Sequence, residues 1–95
     1  MSAGPASVRK DGETLVFAGA LDRAAAAALW PQARAQVTGA RRFDLTQVSS
    51  VDSAGLALLA ELAAQAPNVA VIGEPAGLAE LRAAYRLDAS LGFGH

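Results

Sequence analysis

The chain has 95 residues, of which 53% are hydrophobic and 18% charged, as expected for one globular domain rather than a disordered segment. It contains no cysteine, and its only histidine is His95, which excludes disulfides and thiolate metal sites and argues against a Ser-His-Asp triad or a histidine metal site. Its formal net charge of −1 argues against nucleic-acid binding, which requires clustered basic residues, and no apolar run is long enough to cross a bilayer.

The N-terminal part of the chain predicts a leader followed by a β-hairpin. Residues 1–6 are expected to be flexible. The N-terminal stretch MSAGPASVRKDGE lacks the apolar segment of a signal peptide, so we expect a cytoplasmic protein. Asp11-Gly12 is a strong turn signal between a short polar strand at 7–10 and a longer strand at 14–20. Residues 7–95 are predicted to form a single domain.

The segment LDRAAAAALWPQARAQV predicts the first helix. Asp22 can accept hydrogen bonds from the free amides of the first turn and is the expected N-cap. Because proline has no amide proton and clashes with the preceding turn, Pro31 predicts a kink or a break near Trp30. Gly39 is the expected stop signal. The residues predicted to face the sheet are Ala25, Leu29, Ala33 and Val37.

The central part of the chain predicts a short strand, a polar loop and a helix. RRFDLT is the predicted strand, QVSSVD the predicted loop, and Ser53 to about Gln65 the predicted helix. The apolar residues of this helix that are expected to contribute to the core are Leu56, Leu58, Leu59 and Leu62. Its opposite face is small and nearly uncharged, and consists of Ala54, Ala57, Glu61, Ala64 and Gln65. Such a face indicates a contact surface, although alanine at ordinary exposed positions would look the same.

The C-terminal part predicts a strand in PNVAVIG and a last helix in EPAGLAELRAAYRL, with Pro75 in its first turn. The residues expected on the inner face of this helix are Leu78, Leu81 and Tyr85. The tail DASLGFGH predicts no clear strand, although Leu91 and Phe93 could pack against the domain. The order β-β-α-β-α-β-α predicts an α/β sandwich in which helices pack against a four-stranded, mostly parallel sheet with an antiparallel N-terminal edge strand.

Asp52 and Ser53 stand where the second helix is predicted to start. Either side chain can cap the helix, and the positive end of the helix dipole would also stabilise a phosphate on Ser53. A glycine within a helix makes the helix less stable than an alanine would. Gly55 in the first turn therefore indicates a close approach, either by the helix to its own sheet or by a partner to the helix backbone. The sequence leaves both alternatives open.

The segment FDLTQVSSVDSAGLALLAEL resembles the signature of the STAS domain, and FAGALDRAAAAALW resembles a second landmark of that family. The signature is a strand ending in D-L-S or D-L-T, followed by D-S or D-T, one residue and G-L. The matching residues are Asp44, Leu45, Thr46, Asp52, Ser53, Gly55 and Leu56. The resemblance spans about residues 8–87 and implies a STAS fold. The short chain, Leu29-Trp30 and the form VDSAGLALLAEL are most similar to the MlaB subgroup.

The MlaB resemblance implies a non-catalytic, cytoplasmic accessory subunit of an ABC transporter that moves phospholipids and maintains outer-membrane lipid asymmetry. Its implied partner is the MlaF-like ATPase subunit, through which it would be peripheral to the inner membrane. No cofactor is implied. The residues implied in partner binding are Asp52, Ser53, Ala54, Gly55, Ala57 and Glu61.

A second group within the family, the anti-sigma factor antagonists, implies a different role. There the serine that matches Ser53 is phosphorylated, which releases the partner. Ser53 is shared by both interpretations and does not separate them. An enzyme is not expected, because the chain offers no histidine beside a serine, no metal cluster and no G-x-x-x-x-G-K-[ST] phosphate loop.

Overall fold

A computed structural model describes residues 6–66 and 69–85 of the chain. The elements are β1 (Ser7–Asp11), β2 (Thr14–Leu21), α1 (Arg23–Gln36), β3 (Arg42–Val51), α2 (Ser53–Ala64), β4 (Ala70–Ile72) and α3 (Leu78–Ala84). The four strands form one sheet in the order β1-β2-β3-β4. Strand β1 is antiparallel to β2, and the remaining pairs are parallel. The predicted fold class is confirmed. Within the described residues, no helix has the length and apolar character required to span a membrane.

The core lies between the sheet and the helices α1 and α2. Phe17 and Phe43 stand on neighbouring strands, and their rings pack edge to face with centroids 5.7 Å apart. Leu29 of α1 and Leu59 of α2 are buried in the same apolar cluster. The cluster fixes both helices on one sheet, and the position of the candidate site follows from that packing.

Strand β3 is longer than the sequence predicted. Residues 47–51, predicted as a loop, continue the strand to Val51 and pair with the end of β2. Two register shifts interrupt this pairing, between Val16 and Ala18 and between Gly19 and Ala20 of β2. The predicted loop is therefore wrong. Parallel pairing with β2, which local sequence does not reveal, supplies the backbone hydrogen bonds that keep this polar segment extended.

Helix α1 runs from Arg23 to Gln36 and includes Pro31. Pro31 is exposed, and so is Ala27, whose carbonyl would otherwise accept the amide proton that proline lacks. Water can hydrate that carbonyl, so the helix continues. Of the kink or break predicted near Trp30, the break is wrong.

The last helix begins later than predicted. Gly77, with φ 91°, is its N-cap, so Pro75 precedes the helix instead of standing in its first turn. Leu78 is buried as expected, whereas Tyr85 is 51% exposed and does not belong to the inner face. The predictions for residues 1–5, for Pro67-Asn68 and for the tail with Leu91, Phe93 and His95 lie outside the described residues.

Candidate functional site

Asp52 alone connects β3 to α2 and caps the helix. Its backbone is extended (φ −101°, ψ −174°), and its Oδ1 accepts a hydrogen bond of 2.9 Å from the amide of Gly55. Of the two side chains that the sequence offered as caps, the carboxylate performs this role. Ser53 is the first helical residue and is exposed. Its hydroxyl therefore lies at the surface beside the helix N-terminus.

Gly55 lets α2 approach the end of the neighbouring strand β2. It is buried, and a Cβ built on it would stand 2.9 Å from the Cβ of Leu21 and nearer still to the Leu21 carbonyl oxygen. The amide of Asp52 donates a 3.2 Å hydrogen bond to that same oxygen. The glycine therefore allows the helix to pack closely on its own sheet. The sequence placed Gly55 on the partner-binding surface. That prediction is wrong, because neighbouring residues of the protein bury Gly55.

The outward side of α2 is a small, weakly charged face. Ala57, Glu61, Ala64 and Gln65 are exposed and Ala54 is half-buried, whereas the leucines predicted for the core are buried. Five of the six residues predicted for partner binding are thus at least partly exposed, namely Asp52, Ser53, Ala54, Ala57 and Glu61. They follow one line from the start of α2 along its surface.

An open groove of about 400 Å³ separates α2 from α1. Trp30 of α1 lies half-buried in it and packs against the core. The residues that line this α1–α2 groove are Ala26, Ala27, Trp30, Ala54, Ala57, Leu58 and Glu61. Glu61 is the one charged residue among them, so the lining is almost entirely apolar. The structure therefore joins Trp30 to the face that the sequence placed on α2.

Sequence reasoning missed Ala26 and Ala27 as parts of this site. A spacing of three and four places Ala26, Ala27 and Trp30 on one side of α1, which is a signal that the sequence did contain. The sequence did not reveal that this side faces α2, because only the parallel arrangement of β2 and β3 brings the two helices side by side.

Asp44 and Thr46, which carry the D-L-T part of the signature, interact with each other. Oδ1 of Asp44 accepts hydrogen bonds from the amide (2.9 Å) and the hydroxyl (2.7 Å) of Thr46. These bonds, the hydroxyl's first, hold the pKa of Asp44 below its usual value because they favour the charged carboxylate. The pair stands where the register of β3 first shifts against β2.

The site combines polar groups with an apolar lining. It presents a hydroxyl, two carboxylates and an apolar groove. In the described part of the chain, no group of three His, Asp or Glu side chains is arranged to hold a metal ion. The arrangement can take up an apolar side chain of a partner beside a polar contact at Ser53.

Comparisons with known proteins agree with the fold. The family model described as "Mlab, STAS domain" matches residues 6–92. A solved structure of the anti-sigma factor antagonist SpoIIAA in its unphosphorylated form superposes with a TM-score of 0.53 at 18% sequence identity, covering 95% of this chain and 88% of that one. No curated protein matches the sequence. Because the family model spans nearly the whole chain, this protein belongs to the STAS domain family, in its MlaB-like subgroup.

Proposed function

We propose that the protein is a non-catalytic accessory subunit that binds the ATPase of a phospholipid-transporting ABC system and supports its activity. Its place would be in the cytoplasm, peripheral to the inner membrane through the transporter complex. The partner would be an MlaF-like ATPase subunit. Membership of the MlaB-like subgroup supports this choice of partner.

The observation that carries the proposal is the α1–α2 groove beside the exposed start of α2. A groove with an apolar lining, a half-buried tryptophan and one rim carboxylate has the composition of an interface core with a polar edge. Ser53 and Asp52 extend this surface with polar groups at the helix N-terminus. We name the continuous surface formed by Asp52, Ser53, Ala54, Ala57, Glu61 and Trp30 the docking face.

Co-expression of the chain with the MlaF-like ATPase of the same genome tests the proposal. Ser53→Arg and Ala57→Glu place a long or charged side chain on the docking face, and each should reduce recovery of the complex about tenfold or more, equivalent to at least about 1.4 kcal/mol. Ala35→Glu is the matched control, since Ala35 is an exposed alanine of α1 outside the groove. Normal recovery of both docking-face variants would refute this surface as the contact.

A second candidate function, an anti-sigma factor antagonist regulated by phosphorylation, rests on the exposure of Ser53. Because Asp52 supplies the cap, the Ser53 hydroxyl is not needed to hold the helix and is exposed to a kinase. A phosphate there would add about −1.5 to −2 charge beside the Asp52 carboxylate. It would make the docking face, which already carries the carboxylates of Asp52 and Glu61, more strongly acidic.

Intact-mass measurement of the protein purified from cells lacking the cognate phosphatase separates the two candidates. The antagonist role requires a phosphorylated species that Ser53→Ala abolishes, together with binding to a kinase-like anti-sigma factor. An unmodified mass combined with recovery of the ATPase complex would eliminate the antagonist role.

A further inference from the structure

The close approach of Gly55 to Leu21 ties the start of α2 to the last residue of β2. The Leu21 carbonyl accepts a hydrogen bond from the Asp52 amide, and a Cβ built on Gly55 would collide with that same carbonyl. Leu21 directly precedes Asp22, the cap of α1. The first turns of both groove-forming helices are thus fixed to one peptide unit.

Position 55 requires a glycine because of space and not because of backbone conformation. Gly55 is absent from the glycines with positive φ, so an alanine could adopt its backbone. The added Cβ would nevertheless stand 2.9 Å from both the carbonyl carbon and the Cβ of Leu21. Backbone atoms cannot rotate away, so the first turn of α2 would have to move outward.

Two groove residues lie on either side of Gly55 along α2. Ala54 precedes it and Ala57 follows it, and both line the groove opposite Trp30 and Ala26. An outward movement of this turn changes the distance between the two walls of the groove. The groove therefore keeps its width only while position 55 carries no side chain.

We propose that Gly55 is a positioning residue for partner binding: it sets the width of the α1–α2 groove without touching the partner. The part of this proposal that concerns the partner rests on the proposed function. The part that concerns the groove does not, because it is measurable in the free protein.

Trp30 is the only tryptophan of the chain and lines the groove, so its fluorescence reports on this part of the protein. In Gly55→Ala we expect a red-shifted emission maximum and stronger quenching by acrylamide, since a wider groove admits more water to the indole. Circular dichroism establishes that the variant is folded before the comparison is made.

Two other glycines provide matched controls. Gly73, after β4, has φ 92° and closely approaches β3, where a Cβ would stand 2.9 Å from the amide nitrogen of Thr46, and it does not line the groove. Gly12, in the hairpin turn, has φ 61° and no atom near an added Cβ. Gly73→Ala and Gly12→Ala disturb the fold by crowding or backbone strain away from the start of α2, and both should leave Trp30 emission unchanged.

The binding measurement uses the same three variants with the ATPase. Gly55→Ala should weaken binding about tenfold or more, whereas Gly73→Ala and Gly12→Ala should bind in proportion to their folded fraction. Unchanged Trp30 fluorescence, wild-type binding by Gly55→Ala, or equal loss in all three variants would each overturn the proposal.

Asp52→Ala provides a second test of the same turn if Gly55→Ala does not fold. Removing the carboxylate that accepts the Gly55 amide loosens the same turn, so Trp30 quenching should rise; an unchanged value would overturn the proposal. If the wild-type protein itself fails to bind the ATPase, the proposed function fails. In that case the fluorescence comparison still decides whether Gly55 sets the groove.

Discussion

The two strand–helix units β2–α1 and β3–α2 begin in the same way but occupy different surroundings. Each strand ends in an aliphatic residue, followed by one aspartate that caps the helix. Asp22 (φ −103°, ψ −173°) and Asp52 (φ −101°, ψ −174°) have nearly the same backbone, and each accepts a 2.9 Å hydrogen bond from the third residue on. The start of each helix is therefore specified by the same local interaction.

The helices differ in how many of their sides are covered. Seven residues after the cap, Leu29 and Leu59 are both buried. Ten residues after the cap, α1 carries the exposed Gln32, whereas α2 carries the buried Leu62. Helix α2 contacts both α1 and α3, so it buries a second side. The same aspartate cap therefore starts both helices, but the extent to which each helix is buried depends on the elements that pack around it.

The largest expected effect tests this difference in burial. Leu62→Ala should lower the free energy of unfolding by about 2–5 kcal/mol, because it leaves a cavity in the core. Gln32→Ala, at the equivalent place in α1, should change it by less than about 0.5 kcal/mol. Denaturant titration measures both. Similar losses would mean that α1 and α2 are covered to the same extent.

The next effect tests the shared start signal. Asp22→Ala and Asp52→Ala should each cost about 1 kcal/mol, since each removes the same capping bond. Thermal unfolding should show a decrease in Tm of about 4–8 °C for each. Only Asp52→Ala should also reduce recovery of the ATPase complex, because Asp52 alone belongs to the docking face. A large difference between the two Tm values would contradict the equivalence of the caps.

The smallest effect concerns Asp44 in the strand of the second unit. Its pKa is lowered in the folded protein by the hydrogen bonds from Thr46, so its carboxylate stabilises the fold above the unfolded pKa of about 3.9. That contribution is lost as the pH falls through the lower folded value. Asp44→Asn should therefore have a lower Tm than wild type at pH 7, and the difference should shrink as the pH approaches 3. A difference independent of pH would exclude the carboxylate as its source.

Several parts of the fold were predictable because their signals are local. The hairpin at Asp11-Gly12 and the cap at Asp22 depend on residues at most a few positions apart. The leucines of α2 follow a helical spacing that a buried helix requires. The polar residues that precede this leucine pattern placed Asp52 and Ser53 at the start of α2, where the structure has them.

Other parts were not predictable because they depend on residues far apart in the chain. Residues 47–51 look like a polar loop, but pairing with β2 makes them a strand. Pro31 predicts a helix break, but an exposed Ala27 leaves its carbonyl open to water and the helix continues. Local propensity is a weak preference that tertiary contacts override.

The sequence by itself determined where α1 and α2 start, which leucines of α2 are buried and which family the chain resembles. These features rest on hydrogen bonds between near neighbours and on a spacing that repeats along the helix. Only the tertiary structure decided that Gly55 packs against the Leu21 carbonyl and that Trp30 shares a groove with Ala57. Both depend on the parallel pairing of β2 with β3, which brings residues about thirty positions apart into contact.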